Sequence, residues 1–310
     1  MNQIKNDIFI TVAVVAYNSS NTIIETLDSV KQQTYTNIEL IISDDCSTDD
    51  TLGVVNEWLI KNKERFVRVQ LLTSTENKGI APNRNKCIWE AQGEWIKFVD
   101  GDDLLTENAI ESYLKVINDR VDFVMGSFIS FNERGEEKLR NISTDFFHLP
   151  IPEQLKEQTQ KAQILWPGIF LKRSSTISIG GLDERFPMLD DFPFFIKALE
   201  NNCRFTYTTD VVFKYRVHAG SAQRSTGFHK SHVFYVNQVI VPKYKKEGKY
   251  IDYWHDKLWS AKEIAKLDNN YTKSYSLKAL MLFTDVKEWY YMVRDKVYRP
   301  IVFKWRALRK

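Results

Sequence analysis

Two rhythms of apolar and polar residues alternate along the first hundred positions. Phe9–Ala16 (FITVAVVA) is an unbroken, β-branched apolar run, which predicts a strand buried on both faces of a parallel sheet. Thr22–Gln33 instead carries Ile23, Ile24, Leu27 and Val30 at helical spacing. The pair then repeats. Ile38–Ile42 predicts a second strand, and Thr51–Asn62 a helix with Val54, Val55, Trp58 and Leu59 inward. Val67–Leu72 predicts a third strand, the loop Asn77–Pro82 leads into a helix ending near Gly93, and Trp95–Val99 predicts a fourth strand. Alternation at this spacing predicts an α/β fold: a Rossmann-like, mostly parallel central sheet flanked by helices.

Beyond Ile110 the rhythm weakens. Val121–Phe131 predicts a strand pair or a strand with an extension, and Arg134–Glu157 reads as polar and loop-rich. Trp166–Leu171 and Phe205–Tyr215 predict further strands, with Phe192–Leu199 a helix between them. Composition shifts around Gly220–Gly227. The expected organisation is therefore a catalytic domain over residues 1–225 and a helical, basic and aromatic extension over 226–310.

Composition narrows the class. The chain has 310 residues, 43% hydrophobic and 27% charged, which is ordinary for a globular protein and excludes a disordered one. Cys46, Cys87 and Cys203 stand far apart without a C-x-x-C, excluding a disulfide scaffold or zinc ribbon and suiting a reducing compartment; Cys46 and Cys87 read as small inert fillers. No apolar run approaches the roughly 18–20 residues of a membrane span. Met1–Asp7 carries no apolar signal core, so the expected location is cytoplasmic. The net charge of +3 hides an asymmetry: from Ser221 onward there are 19 Lys and Arg against 8 Asp and Glu, whereas the first 220 residues carry 24 against 32. An acidic body suits cations or hydroxyl-rich substrates, and a basic tail suits an anionic surface. Lys287–Lys310 (KEWYYMVRDKVYRPIVFKWRALRK) has the composition of an interfacial helix on an anionic membrane, split at Pro300; a helix packed on the catalytic domain with a solvated basic face accounts for it equally. No nucleic-acid recognition motif is present.

Candidate chemistry sits at the carboxyl ends of the predicted strands. Asp44-Asp45 follows the second and Asp100-Gly101-Asp102-Asp103 the fourth. Parallel sheets of this kind bind ligands along that edge, so the acids are expected to converge on one crevice, although helix capping explains any one cluster alone. Paired hard carboxylates around a glycine turn suit Mg²⁺ or Mn²⁺, whose shell is usually completed by phosphate oxygens. Neither G-x-G-x-x-G nor G-x-x-x-x-G-K-[ST] occurs, so a metal would have to neutralise a diphosphate.

The ordered pieces extend further: Val15-Ala16-Tyr17-Asn18; Asp44-Asp45-Cys46-Ser47-Thr48-Asp49; Asn77-Lys78-Gly79-Ile80-Ala81-Pro82-Asn83-Arg84-Asn85; the Asp100–Asp103 turn; Gly180-Gly181-Leu182-Asp183-Glu184 with Leu189-Asp190-Asp191; and Tyr215-Arg216-Val217-His218-Ala219-Gly220-Ser221. In this order the chain resembles the family 2 glycosyltransferases of the GT-A fold, bacterial enzymes of O-antigen, capsule and other polysaccharides. The resemblance implies a UDP-sugar donor, Mn²⁺ or Mg²⁺, and a saccharide acceptor, commonly lipid-diphosphate-linked, at the inner face of the membrane. It also implies roles: Tyr17 and Asn18 bordering the nucleotide, Asp45 on the uracil edge, Arg84 near the diphosphate or uracil, and Asp100 toward ribose or metal. Asp102 holds the metal with Asp103 nearby, His218 reaches metal or diphosphate, and Asp191 is the general base. The family's usual Glu before that base is Asp190 here. Phe192, Pro193, Phe194 and Phe195 give Asp191 an apolar setting that raises a carboxylate toward a base's working range. Plain structural roles remain open for Tyr17, His218 and the paired acids, and Trp166-Pro167-Gly168 suits an acceptor cleft or the core. A sugar nucleotidyltransferase would need a glycine-rich, basic loop after the first strand, which Tyr17–Asn21 does not supply; a glycoside hydrolase would act without a nucleotide. A non-catalytic saccharide-binding protein of the same fold is the remaining alternative.

Overall fold

The computed structural model describes residues 7–218 and 226–268, with single positions between 270 and 277; the basic tail 287–310 lies outside these described residues. The first half follows the predicted alternation: β1 (Ile10–Ala16), α1 (Ile23–Lys31), β2 (Ile38–Asp44), α2 (Thr51–Asn62), β3 (Arg68–Thr73), α3 (Ile80–Glu90) and β4 (Trp95–Asp100). Every residue of β1 and β2 is buried, which is why both are predominantly apolar; the buried Glu39 of β2 is paired with Thr11 and Arg68. β1 lies parallel to both β2 and β4, in a register that pairs Ala16 with Asp44 and Val15 with Asp100. That register alone sets Tyr17, Asp45 and the Asp100–Asp103 turn along one sheet edge.

The second half is more mixed: β5 (Leu104–Leu105), α4 (Ala109–Leu114), β6 (Phe123–Asn132), β7 (Glu137–Arg140), α5 (Ile151–Lys161), β8 (Ile169–Lys172), α6 (Arg173–Ser178), α7 (Asp191–Glu200) and β9 (Phe205–Val217). The sheet order is β3-β2-β1-β4-β8-β6-β9-β5, with β7 on β6. The long ladders are parallel, including β6–β9 from Phe123↔Phe205 to Asn132↔Val217. The short strands β5, β7 and β8 pair antiparallel; β8 runs between β4 and β6, and meets β4 only at Trp95↔Lys172 and Ile96↔Leu171.

Three local readings resolve or change. Of the two readings of Val121–Phe131, a single strand holds: β6 (Phe123–Asn132) runs on into the β6–β7 hairpin. The segment expected to be loop-rich, Arg134–Glu157, holds β7, a 3₁₀ turn at Thr144–His148 and the start of α5. Its inward face includes amides rather than hydrocarbon alone: Gln154 and Gln158 are buried, and Gln158 clasps the Ile164 peptide through Oε1 (2.8 Å) and Nε2 (3.3 Å). A buried glutamine breaks an apolar period without breaking the helix. Trp166 precedes the strand predicted around it and packs its ring among Phe98, Phe194 and Phe195.

Where the β4–β8 ladder stops, a side chain takes over. Lys97 is fully buried, and its Nζ donates to the Pro167 (2.5 Å) and Ile169 (3.1 Å) carbonyls while lying 4.4 Å from the Phe213 ring centroid. A buried ammonium is tolerated only when its donors are used.

The chain divides into two compact units, Met1–Ser221 and Ala222–Lys310. In the second, α8 (Thr226–Tyr235) passes through a π turn (Val236–Ile240) into α9 (Val241–Lys246), and α10 (Tyr250–Leu267) packs against all three. Pro242, the second residue of α9, has no N–H to give the turn before it, and the π turn falls just there. No helix among the described residues is long and apolar enough to cross a membrane.

Candidate active site

The edge set by the β1–β2–β4 register is built first from loops. After β1 the backbone turns through Asn18, in the left-handed region at φ 50°, and the Asn18 Oδ1 accepts from the Thr48 N–H (2.8 Å) and hydroxyl (3.2 Å). The neighbouring Tyr17 ring is 48% exposed beside this turn. After β2, Asp44 accepts from the Ser47 N–H (2.9 Å) and hydroxyl (2.5 Å). Cys46 is no core filler: it is half-exposed with φ 63°, a backbone state in which a non-glycine side chain is strained. Asp45 accepts the Lys78 N–H (3.1 Å and 3.2 Å) and the Gly79 N–H (2.7 Å), so it fastens the 77–79 loop while each oxygen retains spare acceptor capacity. Gly79 makes that loop possible, because φ is 94° and a Cβ there would stand 2.9 Å from the Pro187 Cβ.

The turn after β4 is tethered at nearly every polar group. Gly101 donates to the Val15 carbonyl (2.9 Å) and accepts from the Thr22 hydroxyl (2.7 Å). Asp103 is buried and accepts the Arg216 N–H (2.7 Å), so it braces the turn rather than facing a ligand. Asp102 and His218 meet across it, Oδ2 to Nε2 at 2.8 Å, each side chain about one-third exposed (33% and 29%). Burial, and then the Asp100 charge, push the Asp102 carboxyl above its usual range, with the His218 hydrogen bond opposing. Asp103 is pushed well above as well, by burial and by the charges of Asp102 and Asp100.

Arg84 joins this turn to the start of α7. It projects from α3 into the interior, 2% exposed, and lies 4.2 Å from the Trp166 ring centroid. Its Nη2 meets Asp100 Oδ1 at 2.5 Å, and its Nη1 pairs with Asp190. Asp191 follows as the first residue of α7. Its Oδ1 accepts its neighbour Phe192's N–H at 2.7 Å, and burial raises its carboxyl above the usual range against the pull of Arg84. The structure therefore brings Asp100, Asp190 and Asp191 together around one guanidinium, and Asp102, Asp103 and His218 around one turn. Tyr17, Asn18 and Asp45 line the same sheet edge. Sequence reasoning missed Arg216, whose only signal was its place in Tyr215-Arg216-Val217-His218.

For a divalent ion, the donor set fits in part. Among the described residues no three His, Cys, Asp or Glu side chains form a ready-made cage. Asp102 and His218 do offer a hard oxygen and an imidazole nitrogen within one coordination sphere, in a site whose carboxylates are already raised by burial and then by one another's charge. Such a pair suits an ion that takes its remaining ligands from phosphates and water.

Comparison with known proteins gives the family and the fold. The sequence profile described as Glycosyl transferase family 2 matches residues 11–180. The chain is 31% identical over 215 residues to WfaP of Escherichia coli, a UDP-Glc:alpha-D-GlcNAc-diphosphoundecaprenol beta-1,3-glucosyltransferase, covering 68% of this chain and 78% of that one. It is 32% identical over 128 residues to WfgD of the same species, a match covering 41% of this chain and less than half (48%) of that protein. In three dimensions it resembles Staphylococcus aureus TarS 1-349 in complex with UDP-GlcNAc (TM-score 0.60, 17% identity, 87% of this chain and 92% of that one). It also resembles the mannosyltransferase PcManGT from Pyrobaculum calidifontis with GDP-Man and Mn²⁺ (TM-score 0.54, 18% identity, 96% and 82% covered). At these identities the structural likeness establishes the fold, that of the GT-A glycosyltransferases.

Proposed function

The chain belongs to glycosyl transferase family 2, and from that premise we propose that it is an inverting, metal-dependent hexosyltransferase. Its donor is a UDP-sugar carrying glucose, galactose or an N-acetyl derivative. Its acceptor is a hydroxyl of a lipid-diphosphate-linked or growing saccharide in cell-surface polysaccharide synthesis, reached from the cytoplasmic face of the membrane. The observation that carries this reading is the Arg84 guanidinium, which contacts Asp100 at the end of β4 and Asp190 at the start of α7 and so ties a donor side to an acceptor side. The names of WfaP and WfgD supply the donor and acceptor classes, and the UDP-GlcNAc held by TarS supports the nucleotide.

The residues divide the labour. Tyr17 offers a face on which a uracil can stack, and Asp45 a remaining acceptor for its imide N–H. Asp102 and His218 would hold Mn²⁺ or Mg²⁺, which supplies Lewis-acid stabilisation of the departing diphosphate. Asp191 takes the proton of the acceptor hydroxyl as it attacks; its raised pKa brings it closer to the basicity a hydroxyl requires. A single base on the face opposite the leaving group gives one displacement and inversion. Asp190, paired with Arg84, keeps its own charge from competing for that proton.

The test is UDP release from a panel of UDP-sugars with Mn²⁺, with and without a GlcNAc-diphospholipid acceptor. Release from one UDP-hexose, stimulated by acceptor and stopped by EDTA, is expected. Pyrophosphate release from UTP and a sugar phosphate would mean a nucleotidyltransferase; UDP binding without turnover of any sugar would mean a binding protein.

A further inference from the structure

Arg216 lies two residues before His218 and touches both Asp102 and Asp103. It sits near the end of β9, where the short β5–β9 ladder (Leu104↔Lys214, Leu105↔Phe213) has already closed. From there it continues the fastening by other means. Its backbone N–H donates to Asp103 Oδ1 (2.7 Å), and its Nε donates to the Asp102 carbonyl (2.7 Å). Its Nη2 reaches Glu25 Oε2 on α1 (2.5 Å), and the guanidinium lies 4.6 Å from the centroid of Phe131, its register partner on β6. The side chain is 14% exposed.

These bonds complete the tethering of the Asp100–Asp103 turn. Gly101 is held by Val15 and Thr22, Asp103 by the Arg216 amide and the Asp102 peptide by the Arg216 guanidinium. The Asp102 carboxylate is left pointing at His218, two residues beyond Arg216 on the same strand end. One side chain therefore spans both halves of a pair that come from distant parts of the chain. We propose that Arg216 is a positioning residue that clasps β9 to the Asp100–Asp103 turn and so sets the Asp102–His218 pair for a divalent cation bound with a nucleoside diphosphate. Its fork is suited to the task, since Nε and Nη2 engage a peptide carbonyl and a carboxylate from two separate atoms held in one plane; an ammonium donates from a single atom and lacks that fixed spacing.

This inference rests on the proposed metal role of Asp102, and its test separates the two. Binding of Mn²⁺ in the presence of saturating UDP is read from the electron paramagnetic resonance signal of free Mn²⁺, without sugar or acceptor. Arg216→Gln is expected to weaken Mn²⁺ binding about 10–100-fold, the usual range for a group that orients a metal ligand. Arg216→Lys keeps the charge and loses the fork, and is expected to weaken it about tenfold; it also decides the matter if Arg216→Gln does not fold. Glu25→Gln removes only the outer ion pair and stays within about twofold. Wild-type Mn²⁺ affinity in a folded Arg216→Gln, or full affinity in Arg216→Lys, overturns the clasp. Wild-type affinity in Asp102→Ala overturns the metal assignment beneath it.

Discussion

On the β1–β4 side of the crevice, Asp44 and Asp45 accept from backbone N–H and hydroxyl groups of neighbouring loops, and Asp103 from a backbone N–H of β9. On the α7 side, Asp190 answers to a guanidinium and Asp191 to one backbone N–H, over a bed of Trp166, Phe194 and Phe195 rings. The first arrangement makes rigid loops whose buried carboxylates are held by several neutral donors; the second leaves its carboxylates with few donors, so that one cation must serve several of them. Rigid loops suit recognition of a fixed nucleotide. A desolvated acid beside a buried cation suits a proton that has to move.

The sharpest way to break this contrast is to neutralise the desolvated acid. Asp191→Asn keeps the shape and removes the base. Transfer is expected to fall by about 10²–10⁴-fold while UDP binds as before, measured as UDP-sugar turnover against calorimetric binding. In the wild type, kcat/KM is expected to fall as pH drops through the raised pKa of Asp191, so its acid limb lies above the ordinary carboxylate range. Unchanged turnover in Asp191→Asn would remove the distinction between the two sides.

Next in size is the cation that joins them. Arg84→Met leaves Asp190 buried without its partner and Asp100 without its tether, and is expected to cost about 3–5 kcal/mol of unfolding free energy by denaturant titration. Pairing it with Asp190→Asn, which removes the stranded charge, should recover part of that loss. If Arg84→Met is as stable as the wild type, the guanidinium is an ornament of the α7 side rather than its support. A smaller effect is expected on the loop side. Gly79→Ala forces a side chain into φ 94° and against Pro187, costing about 1–3 kcal/mol and loosening the loop that Asp45 holds, read as weaker UDP binding.

The same contrast explains what the sequence disclosed. β1, β2 and β4 are buried on both faces, so their positions are mostly apolar, with Glu39 and Lys97 buried charges among them, and the acids that follow them fall on one edge by register alone. The β6–β9 half buries polar groups that interrupt its period, Gln154 and Gln158 on α5, and β4 itself buries Lys97 where it meets β8. The site residues were legible as motif members, but their partners were not. Arg84 read as a group for diphosphate or uracil, yet it is 2% exposed and committed to Asp100 and Asp190. Asp103 read as a neighbour of the metal, yet it takes a backbone N–H from a strand more than a hundred residues later. Contacts of that range have no local signature.

Lys97 offers the finest test of the aromatic half. Burial lowers its ammonium from 10.5 to about 7, with Asp100 and Asp103 opposing. Between those two values the unfolded chain holds a proton that the folded chain has released, so folding stability contributed by this site rises with pH, by roughly 1 kcal/mol per pH unit. Below about 7 both states are protonated and the burial of the charge weighs fully against folding. Lys97→Met cannot show this dependence. It also removes a cation that lowers the Asp103 carboxyl, so the variant's own stability drifts the opposite way. The stability of the wild type minus that of Lys97→Met, from urea titrations at pH 7 and pH 8, is therefore expected to grow with pH. A difference that is flat or shrinks would mean that Lys97 keeps its proton in the fold, and that its two carbonyl partners and the Phe213 ring solvate an ammonium well enough to offset its removal from water.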